Sequence, residues 1–124
     1  MPVLPKPVAH THELGGARFT SLATPSLGSV DTCVWQVELA PGTPATPHSL
    51  TREEVFVVLS GRADVRIGDE HAEAGPGDSI VVPAQTLFEL SNAGDEPMRA
   101  LCVLPAGGQA QLGNGPAFVP PWAQ

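Results

Sequence analysis

The chain predicts an all-β domain, a small antiparallel barrel or sandwich. Three observations carry this. Apolar and polar residues alternate in short runs, turn residues separate those runs, and no stretch keeps a helical period of useful length. With 13 glycines and 14 prolines in 124 residues, turns are frequent and long helices disfavoured.

Residues 1–16 read as an irregular polar arm, and the first strand pattern begins near Phe19. Cys33, Trp35, Val37 and Leu39 alternate with Val34, Gln36 and Glu38, a strand with one mainly apolar face. The run from Glu54 to Leu59 differs, because Phe56 and Val58 face one way and Val55, Val57 and Leu59 the other. A strand apolar on both faces has to be covered on both. Its outer cover is expected to be a second copy of the chain, a homodimer with this strand near the contact, or else the chain's own arm or tail. Ala63, Val65 and Ile67 alternate with Arg62, Asp64 and Arg66. Gly68-Asp69-Glu70 then turns the chain back through His71–Ala74. Gly75-Pro76-Gly77-Asp78 is a tight turn into Ser79–Pro83, with Asp78 closing the turn. Leu87–Ser91 and Met98–Leu104 complete the strands, and the tail from Pro105 onward reads as irregular. The organisation expected is an arm and first strand over 1–24, a core over 25–105, and a tail over 106–124 packing on it.

Composition narrows the partners. There are 13 acidic and 6 basic residues, for a net charge of −7, with no Lys/Arg cluster. Such a surface repels nucleic acid and anionic membrane, so neither is expected as a partner. The apolar runs are strand-sized, against the roughly 20 residues of a membrane span. No signal-peptide core is visible at the N-terminus, and a cytoplasmic protein is the expectation. Cys33 and Cys102 both sit in apolar runs, where a free cysteine acts as a small hydrophobe.

Two spaced motifs carry the functional signal. Gly42 is followed by five residues and His48, then Glu54 and Gly61, with Leu50 two residues after His48. Further on, Gly77 is followed by five residues and Pro83, and the pattern closes on Asn92, with Gln85 and Phe88 between. These spacings resemble the two motifs of the cupin superfamily, in its small single-domain form, over residues 34–104. The resemblance implies a double-stranded β-helix or jelly-roll barrel whose motif residues point into its mouth. It also implies a divalent transition-metal site of three histidines and a glutamate. On this chain those positions hold His48, Leu50, Glu54 and Phe88. Two of the four are hydrocarbon, and a transition metal normally takes at least three protein ligands. No metal is therefore expected; if one binds, His48 and Glu54 would hold it.

Other polar residues read more simply. His10, His12 and Glu13 lie in the arm, His71 beside a surface turn, and Glu53 on the opposite side of its strand from Glu54. Alternation places Trp35, Val37, Leu50, Phe56, Phe88 and Leu90 around the mouth, with His48 and Glu54 as its main ionisable groups. An apolar pocket with one acid–base pair suits a small apolar or aromatic metabolite. A non-redox proton transfer (isomerisation, cyclisation, dehydration or decarboxylation) is the chemistry within reach. His48 would move the proton, Glu54 would assist it, and Gln85 would donate to a carbonyl oxygen, although the register near Pro83 leaves the direction of Gln85 open. Two other classes stay open: a metal-dependent enzyme such as a dioxygenase, with His48, Glu54, Gln85 and waters on the ion, and a non-catalytic metabolite-binding module.

Overall fold

The alternation read from the sequence becomes, in the computed structural model, a pair of facing antiparallel sheets; the structure describes residues 3–124. Among these residues the strands are β1 (His12–Leu14), β2 (Ala17–Ala23), β3 (Thr32–Leu39), β4 (Ser49–Leu50), β5 (Glu54–Ser60) and β6 (Ala63–Ile67). They continue as β7 (Glu70–Ala74), β8 (Ser79–Val82), β9 (Phe88–Ser91), β10 (Met98–Pro105) and β11 (Ala110–Gln111). The larger sheet has the order β1-β2-β3-β10-β5-β8 and the smaller β7-β6-β9, while β11 and β4 form a separate pair. The strands do not join into one closed ring, so the fold is a jelly-roll sandwich. No helix among the described residues is long and apolar enough to cross a membrane.

The period of two along each strand builds the core. In β3 the residues Cys33, Trp35, Val37 and Leu39 are buried, and in β10 so are Met98, Ala100, Cys102 and Leu104. The register aligns them: Trp35 lies opposite Cys102, which lies opposite Phe56 of β5. Across the sandwich, Phe56 meets Phe88 of β9 edge to face, ring centroids 5.9 Å apart. Cys33 and Cys102 are unpaired and buried, as small hydrophobes would be.

The ends of the chain are more ordered than their composition suggested. Thr11 donates its backbone N–H to Phe19, and β1 folds onto β2. In the tail, β11 pairs with β4, and Ala110 also bridges to Phe118. A 3-10 turn over Pro121–Ala123 then stacks Trp122 on Phe19, with centroids 3.6 Å apart and planes 3° from parallel. The Ser21 hydroxyl donates to the Trp122 carbonyl at 2.7 Å.

The motif glycines and the motif asparagine have local reasons. Gly61, which closes the first motif, sits at φ +73°, and a β-carbon there would lie 2.4 Å from the Pro97 carbonyl oxygen. Asn92 is 1 % exposed and ties a loop together: its amide donates to the carbonyls of Leu39 and Glu96, and its Oδ1 accepts from Gly94 N–H. At the second motif's internal glycine position stands Gln85, the one non-glycine residue at positive φ (59°) among those described. A β-carbon in that region costs roughly 1–2 kcal/mol, against roughly 0.5–1 kcal/mol for the extra freedom of glycine in the unfolded chain. Gln85→Gly is therefore expected to raise stability by about 0.5–1 kcal/mol, read as a higher urea midpoint at unchanged m-value. A lower midpoint would mean that the Gln85 side chain makes compensating contacts.

Candidate functional site

Glu54 begins β5, and the strand's alternation turns it inward with Phe56 and Val58, while Glu53 stays exposed. Its neighbour across β8 is Val82, fully buried, and two residues on, Phe56 lies opposite buried Cys102. The residue is 3 % exposed, and no hydrogen bond or ion pair from any described residue reaches its carboxyl. Burial without a partner disfavours the charged form, so the carboxyl is pushed up to about 8 and is mostly protonated at pH 7. The same surroundings, together with Glu54 itself, push the Cys102 thiol well above its ordinary value. Among the described residues, every fully enclosed side-chain nitrogen or oxygen has a partner. The unpaired carboxyl therefore keeps a narrow contact with solvent.

His48 is half-buried at the edge of the smaller sheet. Its backbone exchanges hydrogen bonds with Phe88 (3.1 and 2.9 Å), which places the imidazole over the Phe88 ring at a centroid distance of 4.3 Å. Its Nδ1 donates to the Thr46 carbonyl at 2.8 Å. Burial lowers the imidazole pKa, and the Thr46 contact opposes that in part. The neutral ring so fixed has Nδ1 as the donor and Nε2 as the free acceptor. No hydrogen bond joins His48 to Glu54.

The apolar residues expected around an open mouth fill it instead. Trp35, Val37, Leu50, Phe56 and Phe88 are all at most 6 % exposed and belong to one packed cluster, with Leu90 against it. Two surface hollows, of about 190 and 290 Å³, lie on the outside of the larger sheet. Gln85 is exposed; its backbone N–H donates to the Leu50 carbonyl at 2.7 Å, so it shapes the rim through its main chain. This contact had no signal in the sequence beyond the motif position. Asp78 closes its turn through Gly75 N–H at 2.8 Å. His71 pairs with Asp64 at the surface, and His10 with Glu13.

The donor set does not fit a transition metal. No group of three or more His, Cys, Asp or Glu side chains among the described residues could hold an ion, and Leu50 and Phe88 put hydrocarbon at two of the four motif positions. What remains at the motif positions is a protonated carboxylic acid on β5 and a neutral imidazole packed on Phe88.

Comparison with known proteins fits this architecture. The cupin domain model matches residues 35–104, which contain Glu54, His48 and Phe88. Over 52 residues the chain is 35 % identical to an uncharacterized protein of Methanocaldococcus jannaschii, a match spanning 42 % of each. The polyketide cyclase RemF of Streptomyces resistomycificus superposes with a TM-score of 0.70 at 21 % identity, over 86 % of this chain and 74 % of that one. The vicilin of Corylus avellana (hazelnut) superposes with a TM-score of 0.73 at 21 % identity, over 86 % and 35 %. At such identities these structures share the fold.

Proposed function

This chain belongs to the cupin domain family, and from that premise we propose that it takes a small, uncharged, apolar or aromatic molecule at the Glu54–His48 end of the sandwich and moves a proton on it without redox chemistry. The observation that carries this reading is the buried, unpartnered Glu54 carboxyl with a narrow contact to solvent. Burying such a group weakens the fold, and a barrel kept only for its shape gains nothing from it. Two groups with opposite shifts make an acid–base assignment: Glu54 as the acid, protonated up to about pH 8, and His48 Nε2 as the base, its pKa lowered by burial. The ligand is uncharged because all six Lys and Arg side chains are exposed, leaving no cation inside to meet an anion. Phe88 packs on the His48 ring and, with Leu50, fills the interior, so binding requires them to turn aside. The likeness to a polyketide cyclase lends support at the level of fold alone.

The test is exchange of ligand protons with D2O, followed by NMR on a panel of small aromatic ketones and phenols. Wild type is expected to catalyse exchange α to a carbonyl. His48→Ala should bind the same compound, seen by thermal shift, with exchange slower by roughly 10²–10⁴-fold. The rate should rise with pH as His48 loses its proton and fall above about 8 as Glu54 ionises. A second reading, a non-catalytic module, is favoured by the filled interior. Binding without exchange would select it, and neither binding nor exchange would remove the proposal.

A further inference from the structure

The segment from Ala106 to Gln124 is fastened to both sheets, mostly through its main chain. β11 lies along β4, where the Thr51 N–H donates to the Gln109 carbonyl and the Gln109 N–H to Thr51 Oγ1, both at 2.9 Å. Phe118 doubles back on Ala110 through backbone hydrogen bonds of 2.7 and 2.9 Å. Because the His48–Phe88 backbone pair joins β4 to β9, these pieces extend the smaller sheet. Beyond Phe118 the chain crosses to the larger sheet. There the side chains of Ser21, Ser26 and Cys33 donate to the carbonyls of Trp122, Gln124 and Ala123, at 2.7, 2.7 and 3.3 Å. The segment thus bridges β4 of one sheet and β2 and β3 of the other, and Ala123 caps the Cys33 thiol.

Three properties favour release of this segment ahead of the sheets. The side chains it buries are small, Ala110, Pro120 and Ala123, while Val119 and Trp122 are only partly buried. Little apolar surface therefore returns to water when it lifts. Its root holds adjacent glycines, Gly107 at φ +85° and Gly108, where the backbone turns most freely. Residues 106–124 include no charged side chain, so no ion pair ties them down. β4 keeps its other attachments meanwhile, through the His48–Phe88 pair and the Gln85 N–H on the Leu50 carbonyl.

We infer that residues 108–124 form a clasp that opens as a unit about Gly107 and Gly108 while the two sheets stay folded, and that its opening admits small molecules to the interior between β4 and β3. Leu50 and Cys33, 3 % and 0 % exposed in the closed form, are what it uncovers. As the entrance for a substrate the clasp rests on the proposed function; the opening itself does not.

The two cysteines report the opening without any ligand. Cys33 lies under the clasp, whereas Cys102 sits between Trp35 and Phe56 in the middle of the larger sheet and is uncovered only by global unfolding. In the wild-type chain under native conditions, N-ethylmaleimide is expected to label Cys33 roughly 100-fold faster than Cys102, with the sites located by peptide mass spectrometry. The Thr51 and Gln109 amide protons should exchange through the same opening, and faster than those of β10. Trp122→Ala should raise the Cys33 rate roughly 10–100-fold, and the milder Ser21→Ala roughly 3–10-fold. Val65→Ala, in β6, should speed Cys102 labelling and leave Cys33 unchanged, because Val65 stays packed while the clasp is open. Cys33 labelled no faster than Cys102, or sped by Val65→Ala and not by Ser21→Ala, overturns the inference. Neither result bears on proton transfer at Glu54 and His48, which the D2O exchange reads separately.

Discussion

Glu54→Gln is expected to leave the protein as stable as wild type near pH 4 and more stable above pH 8, by roughly 5 kcal/mol. The sign follows from linkage. In the unfolded chain the carboxyl ionises near its ordinary value of 4.5, whereas in the folded protein it holds its proton to about pH 8. Below pH 4.5 both states are protonated and the group is neutral to folding. Between 4.5 and 8 only the unfolded state gains by ionising, so stability falls as pH rises, and above 8 the loss is complete. Glutamine keeps the shape and cannot ionise, so its slope over that window should flatten. For a domain stabilised by about 5–15 kcal/mol the difference is a large fraction of the whole. Urea melts of both proteins at pH 4, 6 and 9 would measure it. Parallel pH profiles would mean that Glu54 ionises freely in the folded state, and the acid assigned in the proposed mechanism would be lost with it.

The expected effect bears on why the residue stands where it does. Leucine or methionine would fill the same place beside Val82 and Phe56 without the penalty. On the proposed reading, a group that weakens the fold at neutral pH and keeps a thread of solvent contact is placed for chemistry rather than for packing.

Much of this was legible before the structure. The alternation in Cys33–Leu39 and Met98–Leu104 gives the burial of both strands, because a period of two admits one inward set. The inward Glu54 and outward Glu53 follow from the same rule. The turn at Gly68-Asp69 and the turn-closing Asp78 are local chemistry. What the sequence hid is tertiary. The two-residue strands β4 and β11 have no period to read; they exist because Ser49–Leu50 and Ala110–Gln111 find each other across the fold. The Trp122–Phe19 stack is likewise a meeting of distant segments. At the site, alternation says that Leu50 and Phe88 point inward, but not whether they line a cavity or fill it. Nor could it show that the backbone of Thr46 would occupy His48 Nδ1 and leave Glu54 without that partner.

Phe88→Ala tests how far the filling matters. Phe88 is 1 % exposed, in contact with the His48 ring on one side and Phe56 on the other. Truncation removes a buried ring and leaves a void bounded by side chains already anchored in strands, so relaxation is limited. The expected loss is roughly 3–5 kcal/mol, a fall in Tm of roughly 10–20 °C. Unlike the Glu54 effect it should not depend on pH, because no proton equilibrium is tied to the ring itself. A dry apolar void of that kind accepts a molecule the size of benzene. Saturating benzene should therefore raise the Tm of Phe88→Ala by several degrees and that of wild type by less, since there Phe88 has first to turn aside. A wild type that responds equally would show that Phe88 already swings aside for a ligand. The filled interior would then be the closed state of a binding site, and the Phe88 ring its door.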